Sequence, residues 1–360
     1  MKIGVPCEVK ILEGRVALIP DAAAELIRHG QQVFVQQGAG ELSGYSDQQY
    51  LSAGVEICPD AQSLYEAASL IVKVKEPQPQ EYDLLRDDQV LFSYLHLAAA
   101  PELSCALQKT GVLAVAFETV EHNGRLPLLA PMSDIAGRIA LQIGTHLLHQ
   151  PQGGRGVLLG GVAGTERGHV VVLGAGEAGG NAAALAAAAG AQVTVFDRDR
   201  DKLARMRQLG PNVTALHAYA SAVHEAAIQA DLLIGAVLIP GKKAPHLVSA
   251  QTVRQMRTGS VIIDISVDQG GCIETTRPTS YADPTYILDG VVHFGVTNMP
   301  GAVPRTASQA LSAVLVPYIL QLAQPDWQQQ PALAAGINIA NGEVVHPALL
   351  DSPSSSCNNP

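Results

Sequence analysis

The chain has 360 residues, of which 47% are hydrophobic and 16% are charged, and its formal net charge is −10 with the histidines neutral. At about 150 residues per domain, this length predicts two domains that can each bury a core. An acidic chain without a run of Lys and Arg lacks the positive surface that attracts a nucleic-acid backbone or an anionic membrane. The composition therefore disfavours nucleic-acid binding and leaves small metabolites as ligands.

Neither a membrane segment nor a metal site is expected. The longest apolar stretches, 182–189 and 232–239, are far shorter than the about 20 residues that cross a bilayer. No apolar core of a signal peptide follows Met1. The five cysteines are scattered without Cys-x-x-Cys spacing, which favours neither a disulfide framework nor a zinc site. We therefore expect a cytoplasmic chain without a metal or a membrane partner.

Short Val/Ile/Leu-rich runs alternate with helical Ala/Leu-rich segments in two blocks, which is typical of βα repeats. In the first block, the pattern predicts strands at 2–5, 32–35, 70–74, 90–94 and 113–116, and helices at 21–29 and 101–110. A helix over 133–148 leads to the second block, which has strands at 170–173, 192–196, 213–216, 232–235, 261–264, 285–288 and 291–295. A last helix, 306–322, follows.

This alternation predicts an α/β fold with two doubly wound domains, mostly parallel sheets and a cleft between the domains. If helix 306–322 packs back on the first block, residues 1–129 and 306–360 form a discontinuous substrate domain. Residues 130–305 then form a Rossmann nucleotide-binding domain.

A Gly-x-Gly-x-x-Gly turn, formed by Gly174, Gly176 and Gly179, joins a predicted strand to an alanine-rich helix. These glycines permit the tight turn, the approach of a pyrophosphate and close helix packing. Asp197 ends the next strand, 23 residues after Gly174, near the spacing of a carboxylate that binds the adenosine ribose. Because such a carboxylate repels a 2′-phosphate, NAD is predicted over NADP. Alternatively, Asp197 is a loop acid that caps a helix.

Polar residues also follow several predicted strands, at the end of the sheet where open α/β folds bind ligands. They are Arg15, Lys75, His96, Asp264 and Asp268. Arginine and lysine together suit a carboxylate, histidine moves protons near neutral pH, and aspartate orients water or balances an amine. Lys73 shares a strand face with Lys75, so the pattern cannot choose between them. Each residue taken alone also has a structural interpretation: Arg15 as a solvated loop charge, His96 as a core histidine and Asp268 as a turn former.

Several longer strings of residues resemble the alanine dehydrogenase family, over nearly the whole chain up to about Leu322. They are residues 13–18, 72–77, 94–98, 128–133, 235–241, 268–272 and 298–304. Cys7 departs from the family pattern, which usually has lysine there. Residues 324–360 match no motif that we could use.

The resemblance implies reversible NAD-dependent oxidative deamination of L-alanine to pyruvate and ammonia by a cytoplasmic homo-oligomer, expected to be a hexamer. It implies that Arg15 and Lys75 bind the substrate carboxylate and carbonyl, which selects Lys75 over Lys73. His96 and Asp268 would be the acid/base residues. The residues expected to line NAD are Ser133, Gly174, Gly176, Ala178, Gly179, Asp197, Lys202, Val237, Leu238, Ile265, Ser266, Val267, Asp268, Val296, Thr297, Asn298 and Met299.

Three alternatives remain at this point. The NAD-binding subunit of a proton-translocating transhydrogenase resembles the same family but needs a membrane partner. A silent NAD-binding regulator would carry the same glycine turn without turnover. A 2-hydroxy-acid or opine dehydrogenase would use the same Arg/Lys pair, because that pair recognises the carboxylate and leaves the amine undetermined.

Overall fold

The computed structural model describes residues 1–237 and 244–350. Its chain divides into two compact units, residues 1–132 with 301–350 and residues 133–300. None of the helices in the described ranges is long and apolar enough to cross a membrane. The two mostly parallel sheets, one in each unit, confirm the predicted α/β fold.

The strands follow the predicted pattern closely, and no observed bound of a predicted strand differs from it by more than two residues. In chain order they are β1 (Lys2–Val5), β2 (Gln32–Gln36), β3 (Glu56–Cys58), β4 (Leu70–Val72), β5 (Val90–Ser93), β6 (Leu113–Ala116), β7 (His169–Leu173), β8 (Gln192–Asp197), β9 (Val213–His217), β10 (Leu232–Gly235), β11 (Val261–Asp264), β12 (Thr285–Leu288), β13 (Val291–Phe294), β14 (Ile337–Ala340) and β15 (Glu343–Val344). The sequence analysis missed β3, β14 and β15.

The helices begin and end where local sequence favours it. In chain order they are α1 (Pro20–Arg28), α2 (Asp47–Ser52), α3 (Ala61–Ala67), α4 (Pro101–Thr110), α5 (Ala130–Leu147), α6 (Glu177–Ala188), α7 (Arg200–Arg207), α8 (Ala220–Gln229), α9 (Ala250–Val253), α10 (Pro304–Leu322), α11 (Pro331–Ala335) and α12 (Pro347–Leu350). Helix α4 illustrates the rule: proline opens it, and Gly111 ends it in the left-handed region at φ +73°.

The sheet of the first unit has the order β15-β14-β6-β5-β4-β1-β2-β3. Strands β1 to β6 are parallel, while β14 runs antiparallel to β6 and to β15. The chain goes outward from β1 through β2 and β3, and then returns to the other side of β1 through β4. The order reverses at β1 and β4, and in such sheets ligands bind beyond the carboxyl ends of the strands at this point.

The sheet of the second unit has the order β12-β13-β11-β10-β7-β8-β9 and is parallel except for β12. Its order reverses at β7 and β10. Both strands are fully buried apart from the first residue of β7, as expected for the centre of a parallel sheet covered by helices on both faces. The six parallel strands of each unit thus have the same order and the same kind of reversal point.

Helix α10 belongs to the first unit and holds the segment after β1 through its serines. The Ser308 hydroxyl accepts the Val16 N–H at 2.9 Å. The Ser312 hydroxyl accepts the Ile19 N–H at 3.0 Å and donates to the Ala17 carbonyl at 2.9 Å. Both serines are buried, so these bonds satisfy backbone groups that water cannot reach.

We expect Ser312→Ala to lower the free energy of unfolding by about 1–3 kcal/mol, because it leaves a buried N–H and a buried carbonyl without their partner. Urea unfolding followed by circular dichroism would measure the change. The matched control is Ser52→Ala, since the exposed Ser52 hydroxyl bonds only to Gln48 in its own helix. Equal midpoints for the two variants would contradict this role of Ser312.

Candidate active site

The glycine turn lies at the reversal point of the second sheet, between β7 and α6. Gly174 has φ +99°, and a Cβ there would lie 2.5 Å from the Ala236 carbonyl oxygen. A Cβ on Gly179 would lie 1.8 Å from the Gly174 oxygen. A Cβ on Gly176 would have no atom within 4 Å, so the backbone there borders open space. These are the three roles that a dinucleotide-binding turn needs, and the residues therefore fit a pyrophosphate at the start of α6.

Asp197 ends β8 beside this turn. Its Oδ2 accepts the Ala175 N–H at 2.7 Å and its Oδ1 accepts the Asp199 N–H at 2.8 Å. A carboxylate has about four acceptor positions, so Asp197 keeps capacity for ribose hydroxyls. The helix cap that the sequence offered as its alternative role belongs to Asp199, whose side chain accepts the N–H groups of Asp201 and Lys202 at the start of α7.

Helix α5 packs directly on the glycine turn. A Cβ on Gly137 would lie 2.0 Å from the Ala178 carbonyl oxygen, so the two backbones are in contact. Ser133 is four residues earlier and shares this face of the helix. Its place next to the turn was not predictable from spacing, because it depends on the contact that Gly137 permits.

The other residues expected to line NAD lie on loops that follow strands of this sheet. Val237 follows β10, Ile265 to Asp268 follow β11, and Val296 to Met299 follow β13. Lys202 lies in the first turn of α7. Leu238 lies outside the described residues.

Asp264 has a structural role in this unit. It is fully buried and accepts the N–H groups of Ser266 at 3.0 Å and Cys272 at 2.9 Å. Its Oδ2 also accepts the Thr276 hydroxyl at 2.7 Å. These bonds hold the loop on which Asp268 is exposed. Asp264 therefore shapes the loop, while the Asp268 side chain is solvent-exposed.

In the first unit, Arg15 is buried and lies against Glu13. Its Nε donates to Glu13 Oε1 at 2.7 Å and its Nη2 to Oε2 at 2.5 Å, while Nη1 contacts the sulfur of Met132 at 3.2 Å. Burial alone lowers the pKa of Arg15, but the bonds to Glu13 outweigh it and raise that pKa. Arg15 is thus a cation held in one orientation.

Lys73 and Lys75 are both buried at the reversal point of the first sheet, but their partners differ. The Lys73 ammonium lies 2.6 Å from Glu81 Oε1 and 3.6 Å from Glu8 Oε2. Burial lowers the pKa of Lys73, but the two carboxylates outweigh it and raise that pKa. Lys73 therefore compensates two buried anions and is not available to a ligand.

Lys75 has no hydrogen-bond or ion-pair partner for its ammonium within the described part of the chain. Its backbone is nevertheless fixed, because the Glu8 carboxylate accepts the N–H groups of Val74 at 2.6 Å and Lys75 at 3.2 Å. Burial and the charge of Arg15 lower the pKa of Lys75. Of the two lysines on this face, Lys75 is the one that can bind an anion.

His96 follows β5 with φ +49°, a left-handed conformation. Its N–H donates to Glu118 Oε1 at 2.6 Å, and its Nδ1 lies 3.8 Å from the same oxygen. The ring stacks on Tyr94 at 5.9 Å between centroids, and the Tyr94 hydroxyl donates to the Leu128 carbonyl at 2.6 Å. The imidazole thus packs on the Tyr94 ring on one side and is exposed to solvent.

Cys7, which departs from the family pattern, faces β2. Its N–H donates to Gln36 Oε1 at 3.0 Å, and its thiol contacts the Gln37 carbonyl at 3.4 Å. Burial raises the pKa of this thiol, so it is a neutral group near neutral pH.

The structure brings Arg15 and Lys75 together in the first unit with His96 at the end of the neighbouring strand, and it places Asp268 and the predicted NAD residues in the second unit. Sequence reasoning missed the supporting carboxylates Glu8, Glu13 and Glu118. Glu13 stood in one of the recognised strings, but nothing in the spacing showed that it would bind Arg15.

We expect Asp197→Ala to weaken NADH binding by about 1.5–3 kcal/mol, the usual worth of hydrogen bonds to a charged group, and to reduce discrimination against NADPH. Fluorescence titration with both nucleotides would measure this. Asp199→Ala is the matched control because it removes an acid two residues away that caps α7. Unchanged nucleotide preference in Asp197→Ala would contradict the ribose role.

Comparison with known proteins agrees with this geometry. The chain matches the model described as "Alanine dehydrogenase/PNT, N-terminal domain" over residues 4–136 and the model of the corresponding C-terminal domain over residues 140–347. An alanine dehydrogenase of Bacillus subtilis is 48% identical, and the alignment covers 97% of this chain and 94% of that protein. One from Mycolicibacterium smegmatis is 46% identical, with 98% of each chain covered.

Solved structures give the same result. An L-alanine dehydrogenase structure superposes with a TM-score of 0.93 at 50% identity, covering 97% of this chain and 98% of that one. A transhydrogenase from Sinorhizobium meliloti superposes with a TM-score of 0.82 at 27% identity, covering 97% and 100%. With two family models over most of its length and relatives of this similarity, the chain belongs to the alanine dehydrogenase/PNT family.

Proposed function

We propose that this chain is an NAD-dependent amino-acid dehydrogenase that converts L-alanine, NAD⁺ and water reversibly into pyruvate, ammonium, NADH and a proton. Family membership and the similarity to alanine dehydrogenases support the reaction. The structural observation that carries the proposal is Lys75, a buried lysine next to Arg15 whose ammonium has no partner within the described ranges. A small carboxylate would compensate that charge.

Arg15 and Lys75 bind the substrate carboxylate in this proposal. Glu13 accepts hydrogen bonds from Nε and Nη2 of Arg15, and we assign the substrate carboxylate to the guanidinium that this pair holds in one orientation. Lys75 supplies a mobile point charge for the carboxylate or the carbonyl oxygen of pyruvate. Both side chains are buried and their backbones are fixed, which limits the orientations in which a small substrate can bind.

His96 and Asp268 move protons. The exposed imidazole can accept a proton from the substrate ammonium and return one during addition of water, and a histidine does both near neutral pH. Glu118 accepts the His96 backbone N–H at 2.6 Å and lies 3.8 Å from Nδ1, so it supports the position of the imidazole. Asp268 is the exposed carboxylate that we assign to orienting water.

NAD, when bound, supplies the acceptor for the hydride that leaves the substrate. Gly174, Gly176, Ala178 and Gly179 would hold its pyrophosphate, and Asp197 its adenosine ribose. The remaining contacts are assigned to Ser133, Lys202, Val237, Leu238, Ile265, Ser266, Val267, Asp268, Val296, Thr297, Asn298 and Met299.

We assign substrate binding to residues 1–129 with 306–360, and NAD binding to residues 130–305. The units of the described chain, which divide after residues 132 and 300, support these bounds. We further propose a cytoplasmic homo-oligomer, expected to be a hexamer, with L-alanine, pyruvate and ammonia as its small-molecule partners. Resemblance to the family is the support for the assembly.

The first test is NADH formation from NAD⁺ and L-alanine at alkaline pH, with lactate, serine, valine and NADP⁺ as parallel controls. We expect a signal with alanine and NAD⁺ that falls about 10²- to 10⁴-fold in kcat/KM in His96→Ala, the usual contribution of general acid–base catalysis. Preference for lactate would indicate a hydroxy-acid dehydrogenase. NADH binding without any turnover would favour the regulatory or transhydrogenase alternative.

The lowered pKa of Lys75 makes a prediction about pH. Its ammonium is lost as pH rises through a pKa below the ordinary value, so the KM for pyruvate should rise at a lower pH than an ordinary lysine would allow. In Lys75→Arg, whose guanidinium stays charged, this alkaline rise should move to higher pH. The measurement is KM for pyruvate against pH in both proteins. If KM for pyruvate rose over the same alkaline pH range in both proteins, Lys75 would not be the group responsible for the rise.

A further inference from the structure

The Arg15 side chain forms a two-point ion pair with Glu13. Both residues are buried, at 3% and 4% exposure. Glu13 Oε1 accepts a hydrogen bond from Arg15 Nε at 2.7 Å, and Oε2 accepts one from Nη2 at 2.5 Å. Oε1 also accepts the backbone N–H of Arg15 at 3.0 Å. A two-point contact of this kind fixes the plane of the guanidinium as well as its position.

The backbone on either side of Arg15 is held by other groups. The Gly14 carbonyl accepts the Ser43 hydroxyl at 2.7 Å, and the Val16 N–H donates to the Ser308 hydroxyl at 2.9 Å. The hydroxyls of Ser43 and Ser308 are themselves 2.8 Å apart. These bonds hold the loop together with the bond from the Arg15 N–H to Glu13, while the carboxylate of Glu13 also fixes the direction of the Arg15 side chain.

Charge gives a second reason for the pair. A buried guanidinium without a counterion is unstable, and a buried carboxylate supplies that counterion before substrate arrives. With Glu13 in place, Arg15 and Glu13 together are neutral, and Arg15 recognises a carboxylate by directed hydrogen bonds. The extra positive charge for an anionic substrate then comes from Lys75.

We propose that Glu13 is a positioning residue that fixes the orientation in which the Arg15 guanidinium meets the substrate carboxylate, and that it sets substrate affinity through Arg15. This inference rests on the proposed function, because it requires Arg15 to bind that carboxylate. It assigns no proton transfer to Glu13. It predicts a defect in carboxylate binding with little effect on the nucleotide.

The test is Glu13→Gln, which keeps one acceptor oxygen and removes the charge and the second acceptor. We expect KM for L-alanine and pyruvate, and Kd for pyruvate in the NADH complex, to rise about 10- to 100-fold, as when a supporting residue of a ligand-binding group is lost. Kd for NADH should change less than about twofold, within the variation of a remote substitution.

Asp231→Asn is the matched control. Asp231 is also buried, accepts Arg155 Nη1 at 2.7 Å and accepts the His169 N–H at 2.8 Å, but it lies before β10, at the amino end of its sheet. It therefore reports the general cost of neutralising a buried carboxylate that pairs with an arginine, here the more exposed Arg155. We expect its loss of thermal stability to resemble that of Glu13→Gln, with pyruvate affinity unchanged.

A double variant separates positioning from a merely structural role. In Arg15→Lys the two-point contact is absent. Adding Glu13→Gln to that variant should therefore raise the Kd for pyruvate by a much smaller factor than it does in the native protein. If Glu13→Gln does not fold, Glu13→Asp keeps the charge on a shorter side chain and should raise Kd for pyruvate in the same direction.

Two results would overturn the inference, and they are distinguishable. The positioning role of Glu13 would be rejected, with the proposed function intact, if Glu13→Gln changed the Kd for pyruvate by less than about twofold. Additive effects of the two substitutions on that Kd would reject it as well. Failure of the native protein to bind pyruvate in its NADH complex would remove the proposed function and this inference with it.

Discussion

The burial of positive charge at the reversal point of the first sheet is the constraint on which the substrate site depends. Arg15, Lys73 and Lys75 are all removed from water there. Each buried ion loses several kcal/mol of hydration, roughly, and needs a partner or a shifted pKa. Arg15 and Lys73 have carboxylates, whereas Lys75 has a lowered pKa. The presence of carboxylate partners at Lys73 and their absence at Lys75, within the described residues, distinguish the lysine that stabilises the fold from the one available to a ligand.

The same strand order serves two kinds of ligand in this chain. In each unit the order reverses between the first and fourth strands of its parallel set, which leaves a crevice beyond their carboxyl ends. In the second unit a glycine turn lies there, and the open space at Gly176 suits the approach of a phosphate to the start of α6. In the first unit Glu8 and Lys75 lie there instead. The strand order thus creates the crevice, and the residues that border it determine which class of ligand can bind.

The reach of sequence reasoning differed between the two sites. The Gly174 turn was predictable because its function depends on local geometry, within six residues of chain. The pattern also predicted the central strands, whose continuous apolar runs reflect burial on both faces. It missed β3, β14 and β15, which are two to four residues long or pair with strands distant in the chain. It extended β4 to residue 74, where the Glu8 carboxylate replaces a neighbouring strand as acceptor of the Val74 N–H.

By itself, the sequence determined the α/β class, the glycine turn, the acid at the end of β8 and the set of polar residues at strand ends, because each depends on periodicity or on short spacing. Only the tertiary structure decided which charges meet. Lys73 and Lys75 are equivalent by pattern, and Glu8 and Glu81 distinguish them through contacts between separate segments. Likewise, Glu13 and Arg15 are two residues apart, but it is their common burial, with helix α10 bonded to the same loop, that makes the pair an oriented ligand-binding group.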